Sequence, residues 1–330
     1  MLAQGKFESV NEFVAAAIES QIVLESKPLD QAEELNEGSL ANSLDVMVSN
    51  AMESDAGVLQ LSIPRTPPAL EKLRGETSED IAWGLYNRIF PVKITVRVLS
   101  QMMTEKNSNV VDLKILREDT TLRAREVAHI LGANRREKAP RSERLFTGLP
   151  FRRSDKSAER FKNMFVGSVS KAGKAEGFPP LLGFIILKRE DGKPVATLTD
   201  AGYAFARLKN PILDHTPGSG APTSTLSKEE ADFYISHIKR VLPREWELSS
   251  KVLEQVGEGV NTTEGIDQVV QKTVHDLKPP LVPPTRSGVI SRLGELGLVQ
   301  RRQDGIKVLY ALTERGEVVL KSIQLKKASR

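Results

Sequence analysis

The sequence predicts a mainly α-helical protein with small β-hairpins, assembled twice from one scheme. Three observations carry this expectation. Most of the 330 residues read at helical spacing, in segments bounded by Ser, Thr, Pro or Gly. Two short β-rich stretches each surround an Asp-Gly pair, Asp191-Gly192 and Asp304-Gly305, the dipeptide that favours the positive φ values of a tight hairpin. The two stretches are also copies of each other. One opens on Leu182-Gly183 and closes on Leu198-Thr199-Asp200-Ala201-Gly202. The other opens on Leu296-Gly297 and closes on Leu312-Thr313-Glu314-Arg315-Gly316, and in both the first and last glycines are 19 positions apart. The Asp-Gly pair is displaced by one residue between them. The threonine can cap a helix, and the acid beside it suits the positive helix N-terminus. Each half therefore offers helix, hairpin, helix.

In chain order, residues 7–24 read as a helix with Ser9 and Glu12 in capping-box register and Phe13, Ala16, Ala17 and Ile18 as its apolar positions. Residues 25–64 read as an acidic linker, with a short helix at 39–48. The first unit, 65–214, is expected to hold helices at 78–89 and from Pro91 to Thr104. A third is capped by Thr121 and ended by Gly132, and a basic insert follows at 134–156. Next come a helix from Ser157 to Ala172, strands at 182–187 and 195–198, and a helix from Thr199. A Thr-, Ser-, Pro- and Gly-rich stretch marks a boundary at 215–225. The second unit, 226–330, repeats the scheme with helices at 227–241, 245–256 and 262–276. A proline-rich stop at 278–284 precedes a helix from Thr285 to Leu296, a hairpin and a last helix from Thr313.

Composition narrows the class. Hydrophobic residues make up 39% and aromatics 5%, so the cores should be aliphatic. With no cysteine, disulfides, thiol catalysis and cysteine-bound zinc are excluded. No run of 18 apolar residues predicts a membrane span, and the N-terminus lacks a signal-peptide pattern. The net charge is only +4, but it is unevenly placed. Residues 25–61 hold eight acids against one lysine; residues 114–175 hold sixteen Lys/Arg against seven acids; residues 286–330 hold ten against four. An acidic stretch followed by two basic zones is the footprint expected of a phosphate-backbone binder.

The run Arg286-Ser287-Gly288-Val289-Ile290-Ser291-Arg292-Leu293-Gly294-Glu295-Leu296-Gly297-Leu298-Val299, with Arg301-Arg302 and Tyr310-Ala311-Leu312-Thr313 after it, resembles the recognition helix and wing of winged-helix regulators. The resemblance spans about 227–320 and, more loosely, 78–213, and it implies two winged-helix domains in tandem. Winding the helix from Ser157 at 100° per residue puts Ala158, Phe161, Phe165 and Val169 inward. Lys156, Arg160, Asn163, Gly167, Ser170, Lys171 and Lys174 gather outward, as a face that could enter a major groove. In the helix from Thr285, Val289, Leu293 and Leu296 are expected inward, and Ser287, Gly288, Ser291 and Arg292 outward. Lys188, Arg189 and Lys193 in the first wing, and Arg301, Arg302 and Lys307 in the second, are the candidate phosphate contacts. Residues 5–18 resemble the second helix of a ribbon-helix-helix protein, which implies a dimer contact rather than a DNA contact.

Enzyme signatures are missing. Gly167 to Lys174 has five residues between its glycines and Ala175 after the lysine, so it is no phosphate loop. His129, His215, His237 and His275 form no metal-ligand pair, and no G-x-S-x-G elbow occurs. The sequence thus leads to a cytoplasmic, nucleoid-associated, sequence-specific double-stranded DNA-binding protein without cofactor or metal, acting as a homodimeric transcriptional regulator. The alternatives are a plasmid or viral replication-initiation or partition protein, and a winged-helix protein-interaction scaffold.

Overall fold

A computed structural model describes residues 61, 63–73, 78–133, 144–151, 155–215, 222–304 and 307–328. The helix read at 7–24, the acidic stretch to residue 60 and most of the basic insert lie outside the described residues. The chain from Leu61 onward forms one compact unit, mainly α with small antiparallel sheets. Among the described residues no helix is long and apolar enough to cross a membrane.

The first half begins with α1 (Phe90–Glu105), whose first turn carries Pro91 and whose length from Phe90 to Met103 is almost wholly buried. The short β1 (Val111–Asp112) leads into α2 (Leu113–Ala133). Asp112 caps α2, its Oδ1 accepting from the Lys114 and Ile115 amides at 2.8 and 3.2 Å. Next come α3 (Asp155–Phe161), continued by a wide π turn over Lys162–Val166, then β2 (Ser168–Val169), β3 (Ala175–Glu176) and the single-turn α4 (Phe178–Leu181). The hairpin β4 (Ile185–Glu190) and β5 (Lys193–Leu198) leads to α5 (Asp200–Arg207). β1 adds to the free edge of β5, giving the order β1-β5-β4.

The second half holds α6 (Lys228–Val241), α7 (Pro243–Gly257), α8 (Thr263–Thr273) and α9 (Val282–Glu295), then β6 (Val299–Asp304), β7 (Lys307–Leu312) and α10 (Glu314–Ala328). Ser227 and Glu230 close a capping box on α6. Thr262 bridges Leu309 of β7 and caps α8 through its hydroxyl, 3.1 Å from the Gly265 amide. Asp112 holds the corresponding place in the first half, paired with Val195 of β5 and capping α2.

The internal repeat extends to single hydrogen bonds. Ile185 pairs with Leu198 as Val299 pairs with Leu312, and Glu190 with Lys193 as Asp304 with Lys307. The Thr199 amide donates to the Phe184 carbonyl at 3.1 Å, and the Thr313 amide to that of Leu298 at 3.1 Å. The Thr199 hydroxyl accepts from the Gly202 amide at 3.0 Å and donates to the Gly183 carbonyl at 2.7 Å. Thr313 does the same with Gly316 and Gly297, at 3.0 and 2.6 Å. The last glycine has a steric reason: a side-chain carbon on Gly202 would lie 2.0 Å from the Phe184 carbonyl oxygen, and one on Gly316 2.1 Å from that of Leu298.

The halves are fastened through buried polar contacts. Lys93 of α1 meets Glu230 of α6 at 2.8 Å, with both side chains fully buried, and donates to the Phe205 and Leu208 carbonyls. Burial, resisted by Glu230, lowers the Lys93 pKa to about 8. Glu295, at the end of α9, accepts from the Ile89 and Phe90 amides at 2.5 and 3.0 Å and so caps α1 from the other half. Phe184 and Phe205 stack beside Phe233 and His237.

Three expectations are corrected here. Residues 78–89 form no α-helix, because their backbone is bonded to the second half: Ser78 donates to Val241, Ala82 to Glu245 and Ile89 to Glu295. The helix expected to start at Thr121 starts at 113, and the Thr121 hydroxyl instead donates to the Arg117 carbonyl within the helix. Gly132 does not end it; α2 runs on to Ala133.

Candidate nucleic-acid interface

The helix expected over 157–172 is the first point at which the candidate site changes. It runs from 155 to 166 and stops at Gly167, where φ is +113°. Arg117 of α2 secures that stop, donating to the Gly167 carbonyl at 2.7 Å and the Asn163 Oδ1 at 2.8 Å. Ala158, Phe161 and Phe165 are buried as expected, and Val169 is half-buried in β2. Lys156 is exposed on the first turn of α3; Arg160 and Asn163 are half-buried. Ser170, Lys171 and Lys174 do not extend the helical face. They form the turn between β2 and β3, where the Ser170 hydroxyl accepts from the Lys174 amide at 3.1 Å, and Lys171 and Lys174 are exposed.

In the β4–β5 hairpin Arg189 and Lys193 are exposed, and Arg189 donates to the Gly192 carbonyl at 2.9 Å across the turn. Lys188 is already engaged: it lies 2.9 Å from Glu190 and 3.5 Å from Glu71. Its hydrogen bond with Glu190 chiefly holds its ammonium above the ordinary lysine range. Lys114, exposed at the start of α2 beside this surface, was not anticipated. It opens the basic zone at 114–175, but only the β1–β5 pairing brings it to the β4–β5 hairpin.

The second half departs further from expectation. Arg292 was read as facing outward; it is 2% exposed. Its guanidinium reaches Glu245 at 2.7 Å and the Tyr86 carbonyl at 2.6 Å. Gly288 also faces inward, so close to the first half that a side-chain carbon there would meet Gly84 Cα at 2.7 Å. Arg286 is buried 3.0 Å from the Asp267 carboxylate, while Ser287 and Ser291 are half-buried. The physical reasons differ: Gly288 and Arg292 lie against residues 82–90 of the first half, whereas Arg286 is held by α8 of its own half. Val289, Leu293 and Leu296 are buried as expected. On the β6–β7 hairpin Arg301, Arg302 and Lys307 are exposed.

Of the candidate cations and Lys114, those exposed are Lys114, Lys156, Lys171, Lys174, Arg189 and Lys193 in the first half, and Arg301, Arg302 and Lys307 in the second. Most stand on hairpins. Such a set can neutralise phosphates along a nucleic-acid backbone. Compared with known proteins, the chain matches no protein-family model, no curated protein and no solved structure.

Proposed function

We propose that this protein binds double-stranded DNA through its hairpins, as two winged-helix-like copies in one chain, and acts as a transcriptional regulator rather than an enzyme. The observation that carries the reading is the fate of the cations. Cations on the hairpins of both copies are exposed, while Arg286 and Arg292 are buried against Asp267 and Glu245. Each copy also runs helix, short strand or bridge, two helices, hairpin, helix, with β2, β3 and α4 inserted before the hairpin in the first copy and the short element beside the second hairpin strand in both. Base reading in this proposal falls to α3 of the first half, because α9 is covered by its neighbour. A homodimer would double the contact surface, as expected for paired half-sites.

The test is a titration of the purified full-length protein with random duplex and with its own upstream region, at several salt concentrations. Tight binding that weakens steeply with salt and prefers the upstream DNA is the expected result. Changing Arg301 and Arg302 together to Ala is expected to weaken binding to all sequences alike and to flatten the salt slope by about 2 units. Absence of binding at low salt would refute the reading and favour a protein-docking scaffold.

A further inference from the structure

Residues 168–176 form a hairpin where the sequence suggested a helix, and its construction gives it a purpose of its own. Two glycines seal its base. A side-chain carbon on Gly177 would come within 2.7 Å of Gly167 Cα, and one on Gly167 within 2.7 Å of the Glu176 carbonyl oxygen. The chain therefore crosses itself in contact, and the residues between are pushed out as a tight loop. Within the loop the Ser170 amide donates to the Lys174 carbonyl at 2.9 Å and the Gly173 amide to the Ser170 carbonyl at 3.0 Å. These bonds close the turn on itself, and the Lys171 and Lys174 side chains are exposed. Ala172 and Gly173 beside them are small enough to let a ligand approach closely.

The orientation of this loop follows from its neighbours. Gly167, at the base, abuts Leu187 of β4. Ser168 and Val169, further along, share a depression of about 220 Å³ with Lys114 and with Pro194, and Pro194 pairs with Arg189. Moving from 167 to 169 thus follows β4 from 187 toward 189. The two hairpins present their turns at the same end of the molecule. Even with Glu176, Glu190 and Asp191 counted, the pair carries a surplus of cations, and Glu190 is held by Lys188.

We propose that the two turns are the prongs of a clamp on the sugar–phosphate backbone, with Lys171 and Lys174 on one prong and Arg189 and Lys193 on the other. This rests on the DNA-binding reading above. The ligand chemistry is the phosphodiester: flexible ammonium groups on a small-residue loop contact phosphate oxygens and carry no base preference.

The experiment is a salt series with random-sequence duplex and full-length protein. Lys171→Ala with Lys174→Ala should flatten the slope of log affinity against log salt by about 2 units, and adding Arg189→Ala and Lys193→Ala should bring the loss to about 4. A control pair of exposed lysines elsewhere, Lys209→Ala with Lys272→Ala, should leave the slope unchanged. A steep wild-type slope that survives the loss of Lys171 and Lys174 overturns the clamp and leaves the DNA-binding reading standing. A loss confined to one preferred sequence also overturns it, since it would mean base reading. A wild-type protein without salt-dependent binding overturns both.

Discussion

The two halves of the molecule share a hairpin, its capping threonine, its close-packed glycine and the helix that follows, with the same bonds between corresponding atoms. Helices α3 and α9 differ. In the first half α3 breaks at Gly167, keeps Lys156 in solvent and passes into a protruding hairpin. In the second, α9 continues unbroken and is packed on its polar side against the first half. The hairpin unit is self-sufficient because its constraints act within about twenty residues. A helix face has no such local specification; whether its arginine meets water or a carboxylate depends on what folds against it. One scheme has thus produced one copy whose helix gives way to a protruding hairpin and another whose helix serves as its support.

The largest expected effect comes from breaking that support. Arg292→Ala would leave Glu245 buried without its guanidinium partner, which costs about 3–5 kcal/mol. Chemical denaturation should show this as a shift of one shared transition. Two transitions, with the first half unaffected, would mean that the halves fold independently and that the contact with residues 82–90 is incidental.

A smaller effect sharpens the equivalence of the hairpin units. Gly202→Ala and Gly316→Ala each force a carbon against a carbonyl oxygen, at 2.0 and 2.1 Å before relaxation, for a cost of about 1–3 kcal/mol. Separate denaturation curves should give matching losses. A large loss from one and none from the other would show that the shared geometry is not shared energetics.

The smallest effect concerns pH. His237 of α6 is buried with its Nε2 2.7 Å from the Leu182 carbonyl, where the neutral ring donates. Burial lowers its pKa from the ordinary 6.5, the Leu182 contact opposing this. Below 6.5 the unfolded chain takes up a proton that the folded one resists. Stability contributed by the neutral ring is therefore complete above that pH and falls as the solution is acidified, by at most about 1.4 kcal/mol per pH unit. Comparing the pH dependence of unfolding for the wild type and His237→Gln should show a flatter curve below pH 6.5 in the variant. Parallel curves would show that this contact between halves does not titrate.

What was legible in the sequence was what is locally enforced. The Leu-Thr-acid-x-Gly spacing reported a cap and a close approach that need no distant partner; both hairpins and the helices after them form, although the first strand runs over 185–190 rather than 182–187. Helix starts were legible only when a single capping residue competed. Thr121 carries the right chemistry for a cap, but Asp112 took that role once β1 paired with β5, and Thr121 turned to a carbonyl one turn back, as threonines inside helices do. Arg292 was illegible for a stronger reason. Polar residues at a helix surface ordinarily face water, and the partners that retain this one lie 47 and 206 residues away. Lys171 and Lys174 were found by their charge, but their geometry depended on Gly167 adopting a conformation that a helical wheel does not consider.

Glu295 introduces an ordering in time. It caps α1 from 205 residues further along the chain, so during synthesis the amides at the start of α1 emerge well before the carboxylate that satisfies them. At ribosomal rates of about 5–20 residues per second, that interval is roughly 10–40 s. Throughout it, the first half must exist with the opening turn of its central helix unfinished, and its completion is shared with the folding of the second.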